Sequence, residues 1–143
     1  MSWYQYLMGF ADHAAIKSKD STKVGAVLVG EDGTVLLTAF NGPPRRVQDL
    51  PERRERPLKY LFAAHAEANL VSFAARRGIR TEGCTVFVTH HPCSGCAKSL
   101  IQAGIACVHV GAGTTSMPQE EFDAAAIMFG EAGVTVSIEK EAA

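Results

Sequence analysis

His65-Ala66-Glu67 and Pro92-Cys93-Ser94-Gly95-Cys96 are the two stretches from which the rest of the chain can be read. His65, Cys93 and Cys96 are side-chain types that bind zinc. Three protein ligands leave a fourth tetrahedral position open, which marks a catalytic rather than a structural metal. Glu67 adds a carboxylate beside that position, placed to move a proton. The spacing also constrains the backbone. Residues i and i+2 of an ideal helix lie about 200° apart, so His65 and Glu67 cannot share one helix face. They converge only where the backbone is not yet regular, which predicts His65 at the N-terminus of a helix. Cys93 and Cys96 have the spacing by which the first turn of another helix presents two sulfurs to one metal. Both helices then aim their positive dipole ends at the metal and favour the thiolate forms.

Outward from these stretches the pattern alternates. A helix is predicted from His65 to Arg77, ended by Gly78 as its C′ residue with Arg76 and Arg77 at the negative end of the dipole. Cys84–Thr89 reads as a strand, Cys93 to about Ala103 as a helix closed by Gly104, and Ile105–Val110 as a strand covered on both faces. Pro118 in a first turn, followed by Gln119, Glu120 and Glu121, opens a helix that is expected to end near Gly130. Val134–Ile138 is the last predicted strand. Toward the N-terminus, Ser2 caps a helix to Lys17 whose apolar positions are Trp3, Tyr6, Leu7, Phe10 and Ala14. Val24–Val29 and Thr34–Phe40, joined by Glu31-Asp32-Gly33, read as a hairpin. A hairpin followed by alternating helices and strands predicts an α/β fold, one mixed sheet between helix layers.

Between the hairpin and His65 lies an irregular segment, Asn41 to Lys59. It holds four of the six prolines, and six basic residues against three acidic ones, on a chain with a net charge of −1. A long loop of this kind in a compact domain points to function. The chain has 143 residues, 47% of them apolar. That length predicts a single domain over 1–143, able to bury about two thirds of its unfolded surface. A charge near zero argues against a nucleic-acid polymer as partner. No run approaches the roughly 18 apolar residues of a membrane span. Met1-Ser2-Trp3-Tyr4-Gln5 lacks the basic start of a signal peptide, so a cytoplasmic location is expected. In that reducing compartment a Cys-x-x-Cys pair is read as metal-binding or redox-active before it is read as a disulfide.

Two rival readings use the same residues. Cys93, Cys96, Cys107 and His109 have the count of a structural Cys₃His site, but Cys107 and His109 fall in an apolar strand. A thiol–disulfide redox pair leaves His65 and Glu67 unexplained. Cys84 and Cys107 are otherwise expected as small core residues, His13 on the surface of the first helix and His109 in or near the sheet.

The order H-x-E…P-C-x-x-C, with 24 residues between Glu67 and Pro92, resembles the zinc-dependent cytidine/deoxycytidylate deaminase superfamily. Phe40-Asn41-Gly42-Pro43-Pro44, Leu50-Pro51 with Arg53-Arg54, Lys59-Tyr60, Cys96-Ala97-Lys98 and Ile101–Ile105 are similar to its deoxycytidylate branch, and the likeness covers about residues 18–138. The resemblance implies a three-layer α-β-α sandwich with a five-stranded mixed sheet, a Zn²⁺ cofactor and a homo-oligomer. It implies hydrolytic deamination of deoxycytidine monophosphate (dCMP) to deoxyuridine monophosphate and ammonia. Glu67 would take a proton from water, pass it to the ring and again to the departing ammonia. It also implies that Asn41 bonds the sugar, with backbone N–H groups of Ala66 and Cys93 at the base carbonyl or oxyanion. His90, His91 and Pro92 would border the substrate.

A phosphate calls for Arg or Lys, and Arg45, Arg46 and Lys59 lie between Asn41 and His65, which makes them the phosphate candidates. The chain departs from the branch in two places. Arg46 stands where glycine is usual, in a region through which some members are regulated by a deoxynucleoside triphosphate. His90-His91 stand where apolar or aromatic residues are usual; the readings open for them are packing faces, hydrogen-bond partners of a substituent on an unusual base, phosphate ligands, or a second metal site, for which the sequence offers no support. Alternatives to dCMP are another ring (a modified cytosine nucleotide, a free base, guanine or another heterocycle), or a non-catalytic binding module stabilised by zinc.

Overall fold

The computed structural model describes residues 1–139. Helix α1 (Trp3–Lys17) opens on a complete capping box, in which Ser2 and Gln5 satisfy each other's backbone N–H. Strands β1 (Gly25–Val29) and β2 (Val35–Phe40) form the antiparallel hairpin, and the turn uses Gly33 at φ 86°. A 3₁₀ turn (Pro51–Arg54) and a short helix α2 (Lys59–Phe62) follow. The chain then alternates through α3 (Ala66–Arg77), β3 (Thr85–His90), α4 (Ser94–Gln102), β4 (Cys107–Gly113), α5 (Gln119–Ala132) and β5 (Thr135–Ile138). The sheet order is β2-β1-β3-β4-β5. β3 is antiparallel to β1, and β4 and β5 run parallel to β3. The result is the five-stranded mixed sheet of an α-β-α sandwich.

Every residue of β1 is buried, because helices cover both faces of the sheet. Ala26 and Leu28 point to one side. There they join Val86, Val88, Val108 and Val110 beneath Leu70 of α3, Leu100 of α4 and Phe129 of α5. Val27, Val29 and Phe87 point to the other side, against Leu7, Met8 and Ala11 of α1. α1 lies very close to the sheet at Gly25. A Cβ there would collide with the Ala11 carbonyl oxygen and the Ala15 amide nitrogen.

Several boundaries differ from those read in the sequence, each for a local reason. The stripe that α1 buries is Leu7, Met8, Ala11, Ala14 and Ala15. Trp3 is 73% exposed and Tyr6 43%. At Gly25 the helix approaches so closely that Ala11 and Ala15 face the sheet, while Trp3, Tyr6 and Phe10 meet one another edge to face. α5 continues through Gly130 to Ala132, since the residue in the left-handed capping conformation is Gly133. Pro118 precedes the first turn of α5 as its N-cap. β4 runs on to Gly113, drawn out by pairing with β3 as far as His90. Cys84 is buried and His13 exposed, as expected, while Cys107 is half-buried.

Gly25→Ala is expected to lower stability by about 1–3 kcal/mol, because the added methyl meets rigid helix backbone and not a movable side chain. A shift in the midpoint of chemical denaturation measures this, and an unchanged midpoint would contradict the packing of α1.

Candidate active site and metal centre

α3 and α4 begin at the same edge of the sheet, and each is capped by a metal-ligand type. His65 is the N-cap residue of α3 and Cys93 that of α4, both with extended backbone. The i, i+2 problem is thus resolved as the spacing predicts, with His65 outside the helix and Glu67 in its first turn. α4 is anchored from α5, where Glu121 Oε1 accepts both the Ser94 N–H (3.2 Å) and the Ser94 hydroxyl (2.7 Å). Glu121 therefore supplies the cap that Cys93, turned to the metal position, does not.

His65 Nδ1 lies 3.5 Å from Cys93 Sγ and 3.3 Å from Cys96 Sγ. The three donor atoms fall within 4.8 Å of one another, the one such cluster among the described residues. A tetrahedral zinc with bonds of about 2.3 Å to sulfur and 2.0–2.1 Å to nitrogen sets those atoms about 3.5 Å apart. The donor set therefore fits zinc. Its electrostatics agree. The Cys96 thiol, donating to Cys93, holds the Cys93 pKa well below the usual thiol range against the effect of burial, and His65 assists. The Cys96 pKa is pushed up, first by that same contact and then by burial. Two sulfurs this close cannot both ionise without a cation between them. The His65 pKa is raised, chiefly by its contact with Cys93. Glu67 is buried, and desolvation raises its carboxyl pKa, with His65 opposing.

The rival Cys₃His site does not form. Cys107 Sγ contacts His109 Nε2 (3.4 Å), and the His109 ring stacks on Phe87 with centroids 4.5 Å apart. Both residues belong to the face of β4 turned away from His65, so they cannot complete a site with Cys93 and Cys96.

The metal position opens into a cleft of about 610 Å³ including its mouth, room for a small-molecule ligand. Asn41, Lys59, His65, Ala66, Glu67, His90, His91 and Cys93 line it. Pro92 is fully buried behind them. Asn41 Oδ1 accepts the Val24 N–H (3.0 Å), and its Nδ2 donates to the Thr22 carbonyl (2.8 Å). One amide proton and one lone pair remain. Lys59 is 6% exposed and donates to Asp20 Oδ1 (2.7 Å) and Ser21 Oγ (3.1 Å). Its charge is already neutralised by a buried carboxylate.

Arg45 and Arg46 are exposed and do not line the cleft. Arg46 has φ 68°, the left-handed region that glycine enters without the penalty a side chain brings. The arginine that does line the cleft is Arg56, whose Nε donates to the Tyr60 hydroxyl (2.7 Å) and whose Nη2 donates to Thr22 Oγ1 (3.3 Å). Arg56 was one of six cations in the irregular segment, and nothing in the local sequence set it apart from the others. Tyr60, quoted above for its resemblance, also lines the cleft, as do Asp20, Thr22, Thr115 and Met117, which the sequence did not single out.

The model of the family "Cytidine and deoxycytidylate deaminase zinc-binding region" matches residues 1–112. A deoxycytidylate deaminase of Mus musculus is 37% identical over 142 residues, covering 94% of this chain and 78% of the mouse protein. An uncharacterised deaminase encoded in the luxG 3′ region of Aliivibrio fischeri is 37% identical over 139 residues, covering 94% of this chain and 92% of that protein. The crystal structure of dCMP deaminase from cyanophage S-TIM5 in complex with dCMP and dUMP superposes with a TM-score of 0.76. Its identity is 26%, and the match covers 94% of this chain and 95% of that one.

Two outcomes are expected. Chelation should lower the melting temperature of the zinc-loaded protein, since metal that binds only the folded state at a thousandfold excess over Kd adds about 4 kcal/mol. Cys93→Ala should abolish that difference together with zinc retention. Lys59→Met should cost about 3–5 kcal/mol by stranding Asp20, and Lys59→Met combined with Asp20→Leu should recover most of the loss, both read by chemical denaturation.

Proposed function

The chain belongs to the cytidine and deoxycytidylate deaminase zinc-binding family, and on that premise we propose that this zinc-dependent deaminase converts dCMP to deoxyuridine monophosphate and ammonia. The observation that supports a monophosphate is Arg56, an arginine held by Tyr60 and Thr22 on the wall of the cleft that contains His65, Glu67 and Cys93. With Nε and Nη2 engaged, its Nη1 remains to meet an anion. Arg56 is exposed, but a guanidinium held on two sides loses less freedom on binding a phosphate than an arginine without side-chain partners does. Lys59 contributes little net charge here because Asp20 neutralises it. We read residues 1–143 as one catalytic domain.

In this reading His65, Cys93 and Cys96 hold the zinc, which supplies the Lewis acidity that makes water nucleophilic near neutral pH. Glu67 takes a proton from the attacking water and delivers it to N3 of the cytosine. It then carries the second water proton to the amine leaving C4, so that one water is consumed and one ammonia released. Burial suits Glu67 to this exchange, since desolvation narrows the gap between its carboxylate and carboxyl forms. In the same reading the backbone N–H of Ala66, which as the first residue of α3 has no intrahelical acceptor, bonds the base carbonyl. Asn41 offers its remaining amide proton and lone pair to the sugar.

Glu67→Gln should keep zinc at wild-type stoichiometry and lose turnover by at least about 10²-fold, the lower end of general acid–base contributions. Retained turnover would remove Glu67 from the mechanism. Arg56→Ala should raise KM for dCMP at least tenfold while leaving that for deoxycytidine little changed. Equal effects on nucleotide and nucleoside would rule out a phosphate contact.

A further inference from the structure

Residues 18–24, between α1 and β1, form neither helix nor strand. Asn41 and Arg56, which meet the sugar and the phosphate in the proposed reading, are nevertheless both bonded to this segment. Asn41 is held by it at four points. Its N–H donates to the Val24 carbonyl (3.2 Å), and its carbonyl accepts the Ser18 hydroxyl (2.9 Å). Its Oδ1 accepts the Val24 N–H (3.0 Å), and its Nδ2 donates to the Thr22 carbonyl (2.8 Å). Arg56 reaches the same segment at Thr22 Oγ1 (3.3 Å). A segment without a helix or sheet ladder must find other partners for its backbone if it is to hold one shape.

Asp20 supplies them. It is buried, and its Oδ1 accepts the Thr22 N–H (2.9 Å), which closes an Asx turn over residues 20–22. Its own N–H donates to Ser18 Oγ (3.2 Å), the hydroxyl that also donates to the Asn41 carbonyl. Between them the Ser21 N–H donates to the Arg54 carbonyl (3.3 Å). Three consecutive amides are thus satisfied, two of them through Asp20. The Lys59 ammonium donates to the same Oδ1 (2.7 Å) and to Ser21 Oγ (3.1 Å). It cancels the charge that this acceptor brings to the cleft wall, where a bare carboxylate would repel a phosphate. None of the three ion pairs among the described residues involves Arg56, so its charge stays free for an anion.

On the reading of this cleft as a nucleotide site, we infer that Asp20 is a positioning residue. Its Oδ1 shapes the segment 18–24 and, through Thr22, presets the Asn41 amide and the Arg56 guanidinium for the sugar and the phosphate. This task is separate from pairing with Lys59: the acceptor does the positioning, and Lys59 removes the charge that comes with it.

Two double replacements in the zinc-loaded full chain separate the tasks. Asp20→Asn with Lys59→Met removes the ion pair but keeps a neutral acceptor for the Thr22 N–H. Asp20→Leu with Lys59→Met removes both. Neither strands a buried charge, so both should fold. KM for dCMP should be at least about tenfold higher with leucine than with asparagine, and the two kcat values should agree within about threefold, the pattern of lost binding and not of lost chemistry. The Asn41 side-chain amide gives a reading that needs no substrate. Its ¹H–¹⁵N signals, assigned by their loss in Asn41→Asp, should show one proton slow to exchange with water in the wild type and in the asparagine variant. With leucine that proton should exchange at least about tenfold faster. Equal KM in the two double variants, or equal exchange at Asn41, overturns the inference. Failure of the nucleotide reading looks different, as no turnover of dCMP by the wild type, or as a KM that Asn41→Ala and Arg56→Ala both leave unchanged. The amide exchange alone would then decide whether Asp20 sets the Asn41 side chain.

Discussion

Two sulfurs and an imidazole nitrogen converge at the starts of two helices, and the rest of the molecule is arranged to keep them there. His65 and Cys93 both occupy N-cap positions, so the side chains that ordinarily satisfy the first turn of a helix face the metal instead. At α4 the missing cap comes from Glu121 through Ser94. The sheet makes the convergence possible. β1 is antiparallel to both β2 and β3, so β2 and β3 run the same way and the helices that follow them start at one edge. Without a cation the two thiols compete for a single charge, which is why one is driven down and the other up.

A second level of organisation is the division of the cleft into unlike walls. On one side a buried ion pair, Lys59 with Asp20, ties the α2 segment to the start of the hairpin, and Arg56 bridges Tyr60 to Thr22 in the same region. A buried pair is poor evidence of stability in itself, because desolvation offsets much of the attraction. Its worth here is positional, since it fixes the segment that carries Arg56. On the other side the imidazoles of His90 and His91 contact the Thr89 hydroxyl and the Pro92 carbonyl.

Much of this was legible in the sequence where the determinants are local. The i, i+2 separation of His65 and Glu67 forced the histidine out of the helix, and the structure places it at the N-cap. The hairpin turn at Asp32-Gly33, the cap at Ser2 and the left-handed Gly78 are likewise set within a few residues. What could not be read depends on distant partners. The ion pair of Lys59 was hidden because its partner, Asp20, is 39 residues away. Arg56 was indistinguishable from Arg45 and Arg46 until Tyr60 and Thr22 were brought beside it. On α1 the expected Leu7 and Ala14 are buried and Phe10 packs beside them, but Trp3 and Tyr6 are exposed, because the close approach at Gly25 turns Ala11 and Ala15 to the sheet. The left-handed backbone at Arg46 is invisible in a residue type that seldom adopts it.

X-ray absorption at the zinc edge of the loaded protein tests the three-ligand site most directly. Two sulfurs at about 2.3 Å, one imidazole nitrogen at about 2.0–2.1 Å and one further light-atom ligand are predicted, with the last lost or replaced when a substrate analogue binds. A third sulfur, or a second imidazole in place of the exchangeable ligand, would show a closed structural site and contradict catalysis at this centre.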